Sequence, residues 1–125
     1  MNLRVGVDLL YVPRIKTVLQ KDRYLRGLFH PAEREYCDQF RAHRRAQAYA
    51  ARFCAKEAFM KALRRRVGWH EVWVEIQSGA PVLRVSEHVR ARFRIRDADL
   101  SLTHDADYAM ACVILWLDDE PSGTP

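Results

Sequence analysis

Arg52-Phe53-Cys54-Ala55-Lys56-Glu57-Ala58-Phe59-Met60-Lys61 is the stretch around which the chain is organised. Ala, Phe, Met, Lys and Glu run through it without Gly or Pro, which predicts helix. Glu57 is its odd member. At helical spacing it shares a face with Ala50, Cys54, Ala58 and Lys61, small and apolar apart from the lysine. A carboxylate in that company is costly unless a cation meets it. Lys61, one turn on, is one candidate cation; a metal ion is another.

Working outward, this helix is predicted over about Ala46–Arg65. It closes on Arg64-Arg65-Arg66-Val67-Gly68, where positive charge suits the helix C-terminus. On its N-terminal side lies a polar link, Arg41–Arg45. Before that, His30-Pro31-Ala32-Glu33 reads as the start of a shorter helix running to about Phe40. Further back, Leu3–Tyr11 reads as a buried strand carrying one acid, Asp8. Pro13 opens a helix over about Arg14–Arg26, with Gly27 ending it. Five bases (Arg14, Lys16, Lys21, Arg23, Arg26) face one acid, Asp22, on that helix.

Beyond Gly68 the period changes from helical to alternating. Val72, Val74 and Ile76 alternate with Trp73, Glu75 and Gln77, a strand. Ser78-Gly79-Ala80-Pro81 reads as a turn and Val82–Val85 as a second strand. Ser86 and Glu87 start a short helix to about Arg94. Asp99–His104 and Tyr108–Leu117 read as strands joined by His104-Asp105-Ala106-Asp107. Helices early and mainly antiparallel strands late predict an α+β fold: one domain over 1–118, with a long central helix packed on the sheet. Residues 119–125 read as a frayed tail.

The 125 residues are 49% hydrophobic and 30% charged, an ordinary globular balance, with net charge +5. That charge points to an anionic partner, whether nucleic acid, phosphorylated small molecule or acidic protein. Cys37, Cys54 and Cys112 form no C-x-x-C pair, so they read as three buried thiols in a reducing cytosol rather than a zinc site or disulfide framework. No signal peptide and no membrane-length apolar run is present.

The chemistry-bearing candidates are few. Asp8 is either a strand acid satisfied by backbone or solvent, or a metal ligand. With Glu57 it would offer oxygen ligands to Mg²⁺ and leave positions for water and phosphate. Glu57 and Lys61 also admit a plain reading as an (i, i+4) surface pair, worth about 0.2–0.5 kcal/mol. His104 ends a strand and is followed by Asp105, which would orient or charge it; His104 would donate to a phosphate and a carboxylate would accept a proton. The basic helix and the Arg64–Arg66 run are either solvated faces or contacts to an acidic surface or nucleic acid.

Three motifs together resemble the holo-acyl-carrier-protein synthases, the small class of 4′-phosphopantetheinyl transferases. Val5-Gly6-Val7-Asp8 followed by Val12-Pro13-Arg14-Ile15 is similar to the family's G-x-D strand and basic helix. Arg52–Lys61 is similar to its R-F-x-x-K-E-A-x-x-K helix. Leu100-Ser101-Leu102-Thr103-His104, then Tyr108-Ala109, is similar to its S-x-S-H strand and the strand after it. Order and spacing agree over about residues 3–116.

The resemblance implies transfer of 4′-phosphopantetheine from coenzyme A to a serine of an acyl carrier protein, releasing adenosine 3′,5′-bisphosphate. It implies Mg²⁺ on Asp8 and Glu57, with Lys61, Arg52 and His104 on phosphates and Thr103 in the same strand motif. Gly79 and Pro81 match a turn near the adenine. Arg14, Lys21 and Arg23 fall on the helix that receives the carrier. A homotrimer with the site between subunits is implied too. The general base stays open among a metal-bound water, Asp8, Glu57 and Asp105. Three departures stand out: Thr103 for a second Ser, Ala80 where a basic residue is common, and Arg64–Gly68 in place of a Gly-rich loop. The competing reading from another class is a small basic nucleic-acid-binding domain. It leaves Asp8 and Glu57 unexplained, because bare carboxylates repel phosphates. A family relative that has lost activity is the third reading, which the intact Asp8, Glu57, Lys61 and His104 oppose.

Overall fold

The computed structural model describes residues 1–119. In chain order the elements are β1 (Asn2–Tyr11), α1 (Pro13–Leu19), α2 (Asp22–Leu28), α3 (Pro31–Cys37), α4 (Ala42–Leu63), β2 (Val72–Gln77), β3 (Ala80–Val85), α5 (Glu87–Arg92), β4 (Ile95–Asp105) and β5 (Tyr108–Leu117). The strands make two antiparallel sheets, β1-β5-β4 and β2-β3. The expected α+β class and long central helix are both present.

Helix α4 carries Ala at 46, 48, 50, 51, 55, 58 and 62, all buried. Small side chains let a strand come close, and β1 does. A Cβ built on Gly6 would lie 2.0 Å from the Ala58 carbonyl oxygen. Gly6 is therefore the residue that lets β1 cross α4 in contact with its backbone. From that crossing the two-residue period fixes the rest. Gly6, Asp8 and Leu10 face α4, as do Ala109, Ala111, Val113 and Leu115 of β5, which are buried.

The opposite face of this sheet differs from the expected buried strand. Leu3, Val5, Val7, Leu9 and Tyr11 are exposed, together with Tyr108 and Met110 of β5. The reason is the two-residue period: Gly6, Asp8 and Leu10 are the positions that meet α4, so the apolar row Leu3, Val5, Val7 and Leu9 is turned to the other face.

Other boundaries shift as well. The basic helix is two helices, because Lys21 is extended (φ −118°, ψ 108°) and Asp22 starts a new turn; Gly27 lies inside α2 rather than ending it. The polar link begins α4 instead, at Ala42. Helix α3 stops at Cys37, short of Phe40. Its start matches the reading: His30 Nδ1 accepts from the Ala32 amide, while Glu33 accepts from the His30 amide. The β2–β3 turn is only Ser78-Gly79 (φ 52° and 81°), with Ala80 and Pro81 already paired in β3. Strand β4 begins at Ile95, not Asp99. Cys37 and Cys54 are buried but Cys112 is only half-buried, and all three are free thiols. Asp119, read as tail, pairs with the N-terminal ammonium; residues 120–125 lie outside the described residues.

A buried ion pair ties the layers together. Lys56 Nζ lies 2.6 Å from Glu33 Oε1, and neither side chain is exposed. Lys56 also donates to the carbonyls of Trp69 and Val72, and Glu33 Oε2 accepts from the Val74 amide. Helices α3 and α4 are thereby fastened to β2. Among the described residues no helix is long and apolar enough to cross a membrane.

Candidate active site

The close crossing of β1 over α4 brings Asp8 and Glu57 to one groove. Both line a cavity of about 420 Å³ with Leu9, Leu10, Arg14, Ile15, Val18 and Phe53. Their side chains are mostly sheltered, Asp8 16% and Glu57 18% exposed. Each holds a different cation from the one first considered. Lys61 does not pair with Glu57 one turn back; its Nζ donates to Asp8 Oδ1 and to the Val7 carbonyl, both at 3.0 Å. Glu57 Oε1 accepts from Arg66 Nη1 at 3.0 Å. Asp8 wins Lys61 because β1 passes directly over that turn of the helix.

Cys54 sits beside this pair of acids. Burial, then the negative charge of Asp8, pushes its thiol up to about 12, so it is an inert neighbour and not a nucleophile. The donor set is two carboxylates, and among the described residues no group of three or more His, Cys, Asp or Glu assembles. This composition does not fit a closed structural zinc site. It does fit Mg²⁺, which takes one or two carboxylates and completes its shell with water and substrate phosphates.

A second polar cluster lies across the sheet. His104 alternates onto the α4 face of β4, opposite Ala109. Arg52 is 5% exposed, its guanidinium 4.3 Å from the Tyr36 ring centre. Arg44 stacks in the same way on Phe40, at 4.2 Å. Arg52 Nε and Arg44 Nη1 are buried with no hydrogen-bond partner among the described residues. Burial first, then the charges of Arg44 and Arg52, lowers the pKa of His104 below its ordinary value. Buried cationic nitrogens without acceptors, next to an imidazole, form an anion-binding arrangement. Arg44 was missed in the sequence because it lay in a stretch read as a link. Its signal was available: eight residues before Arg52, a little over two turns, it shares that residue's helical face.

The β4–β5 hairpin that presents His104 is pinned from behind. His43 Nε2 and Gln47 Nε2 contact the Ala106 carbonyl at 2.7 and 2.9 Å, and the Val12 amide donates to the Asp107 carbonyl. Alternation puts Thr103 and Asp105 on the face away from α4, apart from His104. Asp8 and His104 lie on the two outer strands with β5 between, about 10 Å across. One chain therefore does not bring the two clusters together.

The remaining candidates fall at the edges. Arg14 lines the carboxylate groove. Lys21 and Arg23 do not share its helix; they flank the exposed Tyr24 ring at 5.3 and 4.9 Å from the ring centre. Gly79 is at the tip of the β2–β3 hairpin and Pro81 pairs with Ile76, both on the smaller sheet. Lys56, next to Glu57 on α4, is structural: its ammonium is sealed against Glu33.

Comparisons with known proteins converge on one family. The family model of the 4′-phosphopantetheinyl transferase superfamily matches residues 4–113. The chain is 42% identical to the holo-[acyl-carrier-protein] synthase of Anaeromyxobacter sp. strain K, covering 92% of this chain and 96% of the relative. It is 35% identical to that of Thermus thermophilus, covering 92% and 94%. Among solved structures, the Chronobacterium ammoniagenes ACPS–CoA complex superimposes with a TM-score of 0.81 at 30% identity, covering 95% of this chain and all of that one. The Bacillus anthracis holo-(acyl-carrier-protein) synthase in complex with CoA (3′,5′-ADP) gives 0.78 at 26%, covering 92% and 96%.

Proposed function

The chain belongs to the 4′-phosphopantetheinyl transferase superfamily, and from that premise we propose that it is a Mg²⁺-dependent holo-acyl-carrier-protein synthase. The reaction moves 4′-phosphopantetheine from coenzyme A to a serine hydroxyl of an apo acyl carrier protein. The serine oxygen bonds to the phosphorus that bears the pantetheine arm. The bond from that phosphorus to the oxygen bridging it to the nucleotide breaks, and adenosine 3′,5′-bisphosphate leaves. The serine proton must go to a base.

The observation that carries this reading is the groove that Asp8 and Glu57 both line, each already paired with a cation. Bound there, Mg²⁺ would offset pyrophosphate charge as it builds on the leaving group. Asp8 and Glu57 would hold it. Lys61, on Asp8, would neutralise phosphate oxygens as well. Arg44 and Arg52 offer buried donors, and His104 an exposed one, to a second phosphate, and coenzyme A carries one on its ribose. A neutral His104 has a ring N–H to donate and gains an anion's favour on protonation. Of the open candidates for the base, a groove carboxylate acting through water is favoured over Asp105, whose side chain alternates away from the groove.

The carrier is acidic in this reading, and Arg14, Lys21 and Arg23 present it with a basic edge across α1 and α2. The adenine contact at Gly79 and Pro81, and the place of Thr103, rest on the resemblance. The two phosphate-facing clusters sit apart in one chain, and opposite α4 strand β1 and the Tyr108 end of β5 expose apolar side chains. Both features favour assembly into a homotrimer with each site completed by a neighbour. Three free thiols favour a reducing cytosol.

The test is incubation with coenzyme A, Mg²⁺ and an apo acyl carrier protein, followed by intact mass. The carrier should gain the mass of phosphopantetheine. Glu57→Gln should abolish that gain while leaving the circular-dichroism spectrum and melting curve intact, since it removes charge and keeps shape. Transfer by the variant at the wild-type rate would show that Glu57 holds no metal.

A further inference from the structure

The Arg64–Arg66 segment follows α4 and is not accounted for by the reaction. Arg64 caps α4 in the left-handed region (φ 63°, ψ 29°), and the amides of Arg64 and Arg65 both donate to the Met60 carbonyl. A left-handed cap turns the chain back over the helix's last turns. Arg66 consequently reaches back to the site. Its Nη1 contacts Glu57 Oε1 at 3.0 Å and Met60 Sδ at 3.2 Å. Glu57, Met60, Lys61, Arg64, Arg65 and Arg66 enclose a cavity of about 300 Å³ that opens beside the carboxylate groove.

The two ends of this ion pair differ. Glu57 is sheltered, 18% exposed, whereas Arg66 is 71% exposed. An arginine so solvated is rehydrated on leaving at little cost, and exposed pairs are weak. A sheltered carboxylate without a cation is the less tolerable state. Arginine and a divalent cation on one carboxylate repel each other, so the arrival of one and the departure of the other belong to a single step.

We propose that Arg66 is the resident counter-ion of Glu57, which a divalent cation must displace, and that this chain's own arginine thereby lowers its affinity for free metal. The proposal rests on the reading of Glu57 as a metal carboxylate. Arg66 keeps Glu57 compensated and correctly placed while no metal is present. On displacement it stays tethered by Arg64 at the mouth of the arginine-lined cavity, among Lys61, Arg64 and Arg65.

Binding of Mn²⁺ alone to the free protein, followed by the electron paramagnetic resonance signal of the aquo ion, tests this without turnover. Arg66→Ala should bind Mn²⁺ about two- to five-fold more tightly than wild type, the scale of one exposed pair. Arg65→Ala removes a charge from the same wall without touching Glu57, and should give a distinctly smaller gain. Unchanged or weaker binding by Arg66→Ala overturns the proposal, as does an equal gain from Arg65→Ala, which would make the effect one of net charge. Glu57→Gln separates the levels. If it weakens Mn²⁺ binding while Arg66→Ala does nothing, only the counter-ion role falls. If it leaves wild-type affinity unchanged, the metal reading falls and takes this proposal with it.

Discussion

At the scale of single residues, Lys56 and Glu57 are neighbours with opposite duties. Lys56 points into the core and Glu57 into the groove, a rotation of about 100° on one helix. Lys56 is sealed against Glu33, with two carbonyls taking its other protons. Burial lowers the lysine's pKa and raises the glutamate's, and each opposes the shift in the other. Breaking such a pair from one side strands a buried charge. Lys56→Met should therefore cost about 3–5 kcal/mol in urea unfolding. Adding Glu33→Gln should recover part of that, because the amide oxygen still accepts from the backbone while the charge is gone. A loss under about 1 kcal/mol for the single change would mean that water reaches the pair. None of this was legible in the sequence, because Glu33 and Lys56 are 23 positions apart. What the sequence did display was a helix with one carboxylate among small apolar residues. Its partner Arg66 stood in plain view but required the left-handed turn at Arg64, which an arginine does not announce.

At the scale of elements, the crossing of β1 and α4 makes the groove, and Gly6 sets the crossing. A methyl at Gly6 would have to push against Ala58 and Ala62 backbone, which cannot rotate away. Gly6→Ala should separate the strand from the helix and cost about 1–3 kcal/mol or more, the range for overpacking. It should also weaken Mn²⁺ binding, because Asp8 rides on β1 and Glu57 on α4. Thermal unfolding and metal titration of the same variant check both halves; unchanged melting would mean that the strand is free to lift. Elements whose pattern is carried by local chemistry were readable: α4 from its composition, the β4–β5 hairpin from its turn, α3 from its His30-Pro31 start. The break between α1 and α2 was not. Gln20 and Lys21 are adequate helix formers, and Val12, Ile15, Val18, Leu19 and Leu25 offer apolar positions on both sides of it. The chain bends there to bring Leu25 and Phe29 into the core beside Tyr49, a tertiary demand that local propensity does not record.

At the scale of the whole molecule, one face of the main sheet has no cover. Val5 is 66% exposed and Leu9 61%, in line with Leu3, Val7 and Tyr11 on one strand face. Tyr11 and Tyr108 meet there, their ring centres 5.4 Å apart. A continuous apolar surface of this kind is costly in water and ordinarily marks a contact. The same sheet holds Asp8 on one outer strand and His104 on the other, with β5 between them. Self-association through this face would cover the apolar strands. Val5→Glu is the change that separates these effects. Its side chain is exposed within one chain, so folding of the protomer should survive. In an assembly through this face it would bury a carboxylate at each contact, which is prohibitive without a partner. Sedimentation velocity should then show the wild type as a trimer and the variant as a single 14.6 kDa chain. Coenzyme A binding should fall with the assembly, while circular dichroism stays unchanged. A variant that is monomeric yet binds coenzyme A as well as wild type would mean that each chain carries a whole site. A wild type that is itself monomeric would leave the apolar face to another partner.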